Sequence, residues 1–125
     1  MRRVFMTRHF SRWLGKTDLS VEALCGSVEE MERGLIDANL GGGIIKKRVA
    51  LPGRGKRGSA RTLVATNSAN RWFFVFGFEK NDRDNINAKE LSAIKALASD
   101  LLRLGVSELV AAVAAKTLQE ICHEN

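Results

Sequence analysis

This chain has no tyrosine, one proline and two cysteines among its 125 residues. Cys25 and Cys122 lie far apart and stand at no metal-ligand spacing, so neither a zinc ribbon nor a disulfide-dense scaffold is indicated. They read as two reduced, half-buried thiols on helices of a cytoplasmic protein. No apolar run approaches the roughly eighteen residues that crossing a bilayer requires, so no membrane partner is expected. The basic N-terminus lacks the apolar core of a secretory signal, because Arg8, His9, Arg12 and Lys16 interrupt it. His9 and His123 stand near opposite ends of the chain without a partner at ligand spacing and read as solvated. Neither a metal centre nor a cofactor is expected.

Acid is missing in two places. Residues 1–17 and 41–61 contain no Asp or Glu and carry +5 and +7, whereas residues 18–40 carry −5. Such segregation is the electrostatic footprint of a polyanion partner, usually nucleic acid. The stretch KKRVALPGRGKRGSAR, residues 46–61, packs seven cations into sixteen positions. Its glycines around Lys56 do not form a phosphate loop, which needs GxxxxGK followed by Ser or Thr between a strand and a helix. Here Arg57 follows Lys56, and a strand follows the loop.

The pattern along the chain is α+β: a small antiparallel sheet packed with an N-terminal helix and two C-terminal helices. Phe10, Trp13 and Leu14 suggest a first helical turn or two. Asp18 or Ser20 then caps a helix whose apolar stripe is Val21, Leu24, Val28, Met31 and Leu35, ended by Asn39 and Gly41–Gly43. Residues 44–51 alternate, with Ile45, Lys47, Val49 and Leu51 on one face. PGRGKRG reads as a loop, Arg61–Thr66 as a second strand, Asn67–Asn70 as a hairpin turn, and Trp72–Phe78 as the central buried strand. Val4–Met6 can add an edge strand. Asn87 with Glu90 resembles a capping box before the Leu91, Ile94, Leu97, Leu101, Leu102 face. Leu109, Val110, Val113, Leu118 and Ile121 form a last helical stripe that either completes the core or pairs with a second copy in a homodimer.

The cations carry the chemistry. Arg61 opens a strand, where a fixed fork of N–H donors suits a phosphate better than a lysine does. Lys80 and Arg83 follow the central strand and emerge at the sheet end; in a meander the start of one strand neighbours the end of the next, so Lys80 belongs near Arg61. Glu79, Asp82 and Asp84 supply the competing reading, an ion-pair network that closes a turn.

Three segments, GLIDANLGGGIIKKRVALPGRGKRG (34–58), RTLVA (61–65) and WFFVFGFEKNDRDNI (72–86), resemble in order and spacing the RelE/ParE superfamily of bacterial type II toxins, most closely its HigB-like RelE branch. The resemblance implies a single RelE-like toxin domain over residues 1–125, neutralised by a cognate antitoxin. It implies cleavage of mRNA on the ribosome without a metal: the 2′-hydroxyl attacks the adjacent phosphate, leaving a 2′,3′-cyclic phosphate and a 5′-hydroxyl. Arg61 matches the arginine on the scissile phosphate and Lys80 the basic residue closing the last strand. Lys46, Lys47, Lys56 and Arg57 match the basic surface, to which the charge pattern adds Arg48, Arg54 and Arg83. Lys56 and Lys80 are the candidates for proton transfer, since clustered cations push neighbouring lysines toward neutrality. The chain departs from the branch in having Ser59-Ala60 before Arg61 instead of an aromatic, and in lacking tyrosine altogether. A ribosome-dependent enzyme is therefore expected rather than a fast free ribonuclease. The alternatives are a ParE-like inhibitor of DNA gyrase and a non-catalytic RNA-binding module.

Overall fold

A computed structural model describes residues 2–52 and 55–123, with the side chains of 55–57 excepted. The elements run β1 (Arg3–Thr7), α1 (Arg8–Leu14), α2 (Val21–Glu32), β2 (Ala38–Gly41), β3 (Ile44–Leu51), β4 (Gly55–Thr66), β5 (Arg71–Glu79), α3 (Ala88–Leu102), α4 (Val106–Ala114) and β6 (Leu118–Ile121). The architecture is α+β, a six-stranded sheet in the order β2-β3-β4-β5-β1-β6 with helices on both faces. Among the described residues only the β1–β5 pairing is parallel.

The alternation of β3 divides the core as its sequence dictates. Ile45, Val49 and Leu51 join Phe10, Leu24, Val28 and Met31 beneath α1 and α2. Ile44 joins Leu63, Ala65, Phe73, Ile94, Leu101 and Leu109 beneath α3 and α4. β5 feeds both layers through a bulge: Leu63 pairs Phe76 but Val64 pairs Phe74, so Val75 is an extra residue. The shift of parity sends Phe74 to the α1/α2 layer and Phe76 to the other.

Several expectations are corrected. α2 ends at Glu32, with Gly34 at φ +87° just beyond, because Leu35 and Ile36 are solvent-exposed and offer no burial to extend the stripe. Gly41–Gly43, all at positive φ, form the β2–β3 hairpin turn rather than a helix stop. β4 begins at Gly55, so Arg61 lies in mid-strand and part of the expected loop is strand. β1 is not an edge: it lies between β5 and β6. The last apolar stripe breaks after Ala114, and Leu118 and Ile121 become the buried positions of β6. Leu109, Leu118 and Ile121 thus complete the core, while Val106 and Val110 stay exposed.

The cysteines are corrected as well. Cys122 follows β6 rather than lying on a helix, and Cys25 on α2 is bonded to it across 97 residues of sequence. Packing α2 against the sheet brings their Cα atoms to 5.4 Å, within disulfide reach. Among the described residues no helix is long and apolar enough to cross a membrane.

Candidate nucleic-acid interface

The α3/α4 side of the sheet is only half covered. Ile44, Leu63, Ala65, Phe73 and Val75 pack under the helices, whereas Arg48 further along β3 is exposed and Arg61 on β4 is half-buried. Arg48 and Arg61 are direct cross-strand partners, and Arg61 has Phe78 opposite it on its other side. Like charges placed opposite one another repel. Asp37, just before β2, relieves that repulsion: its carboxylate accepts from the Arg48 side chain (Nε–Oδ1 3.1 Å) and from its backbone N–H (2.5 Å).

Arg61 has no acid within ion-pair distance among the described residues. It is held by neutral oxygens: Nη1 donates to Ser59 Oγ at 2.8 Å and to Ser59 O at 3.0 Å. The guanidinium is therefore oriented without being neutralised, and its remaining donors are available to an anion. Lys46, two residues before Arg48, makes no ion pair among the described residues and pairs across the ladder with Leu63.

The register puts Lys80 where the meander argument required. Ala60 pairs Glu79, so Lys80 follows the last paired residue of β5, two positions beyond Phe78. It is exposed. Arg83 turns back over the strand it has just left. Its guanidinium lies 5.9 Å from the Phe76 ring centre and 5.8 Å from that of Phe78, and forms a bidentate pair with Glu90, one arm at 2.9 Å. Glu90 is the third residue of α3 and also accepts from the Asn87 backbone N–H, completing a capping box with the Asn87 side chain. Hydrogen bonding by Arg83, then by Asn87, holds the Glu90 carboxyl below the usual carboxylate range; the same Glu90 contact raises the Arg83 pKa. The acid that ties Arg83 is thus Glu90 rather than Asp82 or Asp84.

Lys47 belongs to the opposite face. Its ammonium pairs with Glu30 at 2.9 Å and donates to Leu35 O at 2.9 Å, which spends its charge inside the fold. Arg54 and the side chains of Lys56 and Arg57 lie outside the described residues. Arg61, Arg48 and Lys46 thereby share one half-open sheet face, with Arg83 folded over its aromatic end and Lys80 just past the end of the neighbouring strand, whereas Lys47 belongs to the opposite face.

Sequence reasoning missed Ser59, Asp37 and Glu90 as the groups that orient the cations. Only Glu90 had a local signal, its place in the capping box; Asp37 and Arg48 meet through hairpin register. It also missed His9, whose ring stacks on Phe76 (centroids 5.5 Å, planes within 11°).

Among the described residues no group of three or more His, Cys, Asp or Glu side chains is arranged to hold a metal ion. A cleft of about 600 Å³ between α2 and β3 is lined by Glu29, Glu30 and Asp37 as well as by Lys47 and Arg48, a mixed surface poorly suited to a polyanion. A family model described as the RelE toxin of the RelE/RelB toxin–antitoxin system matches residues 2–121. No curated protein matches the chain significantly.

Proposed function

The chain belongs to the RelE toxin family, and we propose that it acts as a single-domain, HigB-like endonuclease that cleaves mRNA on the ribosome. Family membership makes it the toxin of a toxin–antitoxin pair, with a cognate antitoxin as partner. The observation that carries the catalytic reading is Arg61, oriented by Ser59, half-buried, and without an acid partner among the described residues, while its cross-strand neighbour Arg48 is neutralised by Asp37.

The chemistry follows from that placement. The 2′-hydroxyl of the substrate attacks the neighbouring phosphorus, the bond to the 5′-oxygen breaks, and a 2′,3′-cyclic phosphate and a 5′-hydroxyl result. Negative charge grows on the phosphoryl oxygens as phosphorus becomes five-coordinate. A guanidinium already aimed at them lowers the barrier without reorganising at the moment of reaction. One proton must leave the 2′-hydroxyl and one must reach the departing 5′-oxygen. Lys80 and Lys56 are assigned that exchange, with Lys46, Arg48, Arg54 and Arg57 holding flanking phosphates. Arg83, fixed by Glu90, shapes the floor of the site through Phe76 and Phe78. A homodimer is no part of this mechanism, since every residue it uses comes from one chain.

The test is primer extension on an mRNA in a translating extract, with wild type, Arg61→Ala and Lys80→Ala side by side and folding checked by circular dichroism. The reading expects discrete stops with wild type, suppressed about a hundredfold or more in Arg61→Ala. Intact mRNA in every lane overturns it and leaves inhibition of DNA gyrase as the reading to examine.

A further inference from the structure

The basic N-terminal segment is not used by the site described above, yet the fold brings it there. β1 pairs β5 from Arg3–Arg71 only as far as Met6–Phe74, so the end of β5 runs on past it and α1 packs beside that end. Trp13 lies against Gly77 on one face, where a Cβ on that glycine would collide with the indole ring. His9, on the first turn of α1, reaches Phe76. From Arg61 the order across the surface is therefore Phe78, its cross-strand partner, then Phe76, 6.2 Å from Phe78 between ring centres, then His9.

His9 is solvent-exposed although one ring face is stacked on Phe76. The stack on Phe76 orients the ring, and its exposure leaves ring surface accessible to a ligand. A flat, pre-oriented ring beside a phosphate-binding cation is what a splayed nucleobase stacks upon. Arg12 follows His9 at i+3, one turn further along α1, and Lys16 lies just past the end of that helix; both are exposed, and neither has an ion-pair partner among the described residues.

We propose that α1 is the second half of the RNA surface: His9 stacks on a nucleobase of a single-stranded segment, and Arg12 and Lys16 hold phosphates beside it. This rests on the nucleic-acid reading of the Arg61 face and extends it, supplying in a different place the exposed aromatic that a chain without tyrosine otherwise lacks. His9 would then set base preference, because stacking strength differs among bases, while Arg61 acts at the phosphate.

The experiment uses full-length protein and a short single-stranded 2′-O-methyl oligoribonucleotide carrying 2-aminopurine, which cannot be cleaved through a 2′-hydroxyl. Anisotropy gives the Kd, and quenching of 2-aminopurine reports stacking. His9→Ala is expected to weaken binding about tenfold and abolish the quenching, whereas His9→Phe keeps both within about twofold. Arg12→Ala/Lys16→Ala is expected to weaken binding to every sequence alike and to lower the salt slope by about one to two. Wild type that does not bind, or His9→Ala that binds and quenches like wild type, overturns the proposal. So does His9→Phe failing as His9→Ala does, since that pattern belongs to an imidazole exchanging protons. Because binding is read without cleavage, failure here is distinct from failure of the endonuclease reading, which primer extension reports.

Discussion

Arg61 shows how a single residue can be charged, half-buried and still available. Its hydrogen bonds go to the hydroxyl and carbonyl of Ser59, two residues earlier on the same strand, while the neighbouring arginine is neutralised by Asp37. Lysine at this position keeps the charge but loses the planar fork, so Arg61→Lys is expected to fall close to Arg61→Ala in cleavage rate. Ser59→Ala keeps the guanidinium and loosens it, with an expected loss of up to about tenfold, no more than a single hydrogen bond supplies. Single-turnover cleavage rates measured side by side check both. Gly77 is constrained for a different reason. Because Trp13 fills the space a Cβ would need, Gly77→Ala is expected to cost about 1–3 kcal/mol of stability, read from urea denaturation, by forcing the indole aside.

At the scale of elements, the start of α3 is a clamp. Asn87 and Glu90 cap the helix, and Glu90 also ties Arg83 over the aromatic end of β5. Glu120, held by Arg3, joins β6 to β1 in the same manner. Both carboxyls lie below their ordinary range in the folded state, mainly through the arginine hydrogen bonds. Their contribution to stability is therefore present above the ordinary glutamate pKa and is lost as pH falls through the lowered folded values. Thermal melts between pH 7 and pH 3 are expected to show declining Tm below the ordinary carboxylate range, with a shallower decline in Glu90→Gln. Such local signals were legible in the sequence: the capping box, the alternation of Ile44–Leu51, and the Asn67–Asn70 turn are each written within a few residues. Three features were not, because each is decided by distant partners. Leu118 and Ile121 fit a helical stripe equally well until β1 offers a ladder. Parity in Trp72–Phe78 depends on the bulge at Val75 that pairing with β4 creates. Arg83 meets Glu90 only because the loop between β5 and α3 folds back. For the same reason the cations themselves were readable, whereas their orienting groups were not.

At the scale of the whole molecule, segregation of charge along the chain becomes segregation in space. The acids of α2 and Asp37 serve the closed side and the sheet edge, where Glu30 takes Lys47 and Asp37 takes Arg48. Arg61 and Lys46 are left on the half-open face, with the exposed Lys80 just past the end of β5. The Cys25–Cys122 bond ties α2 to the end of β6 across nearly the full length of the chain. Closing so long a loop constrains the unfolded chain, so Cys25→Ser/Cys122→Ser, or reduction of wild type, is expected to lower stability by about 2–4 kcal/mol in urea titrations while leaving the sheet face that bears Arg61 intact. The central claim is that this face breaks a phosphodiester by internal attack of the 2′-hydroxyl, and the chemistry of the RNA ends tests it most directly. RNA recovered from a translating extract is probed for 5′-hydroxyl termini, which polynucleotide kinase labels without prior phosphatase treatment, and for 2′,3′-cyclic phosphates on the matching upstream fragments. The account expects both at the same cleavage positions with wild type and neither with Arg61→Ala; fragments bearing 5′-phosphates, or uncut RNA, would contradict it.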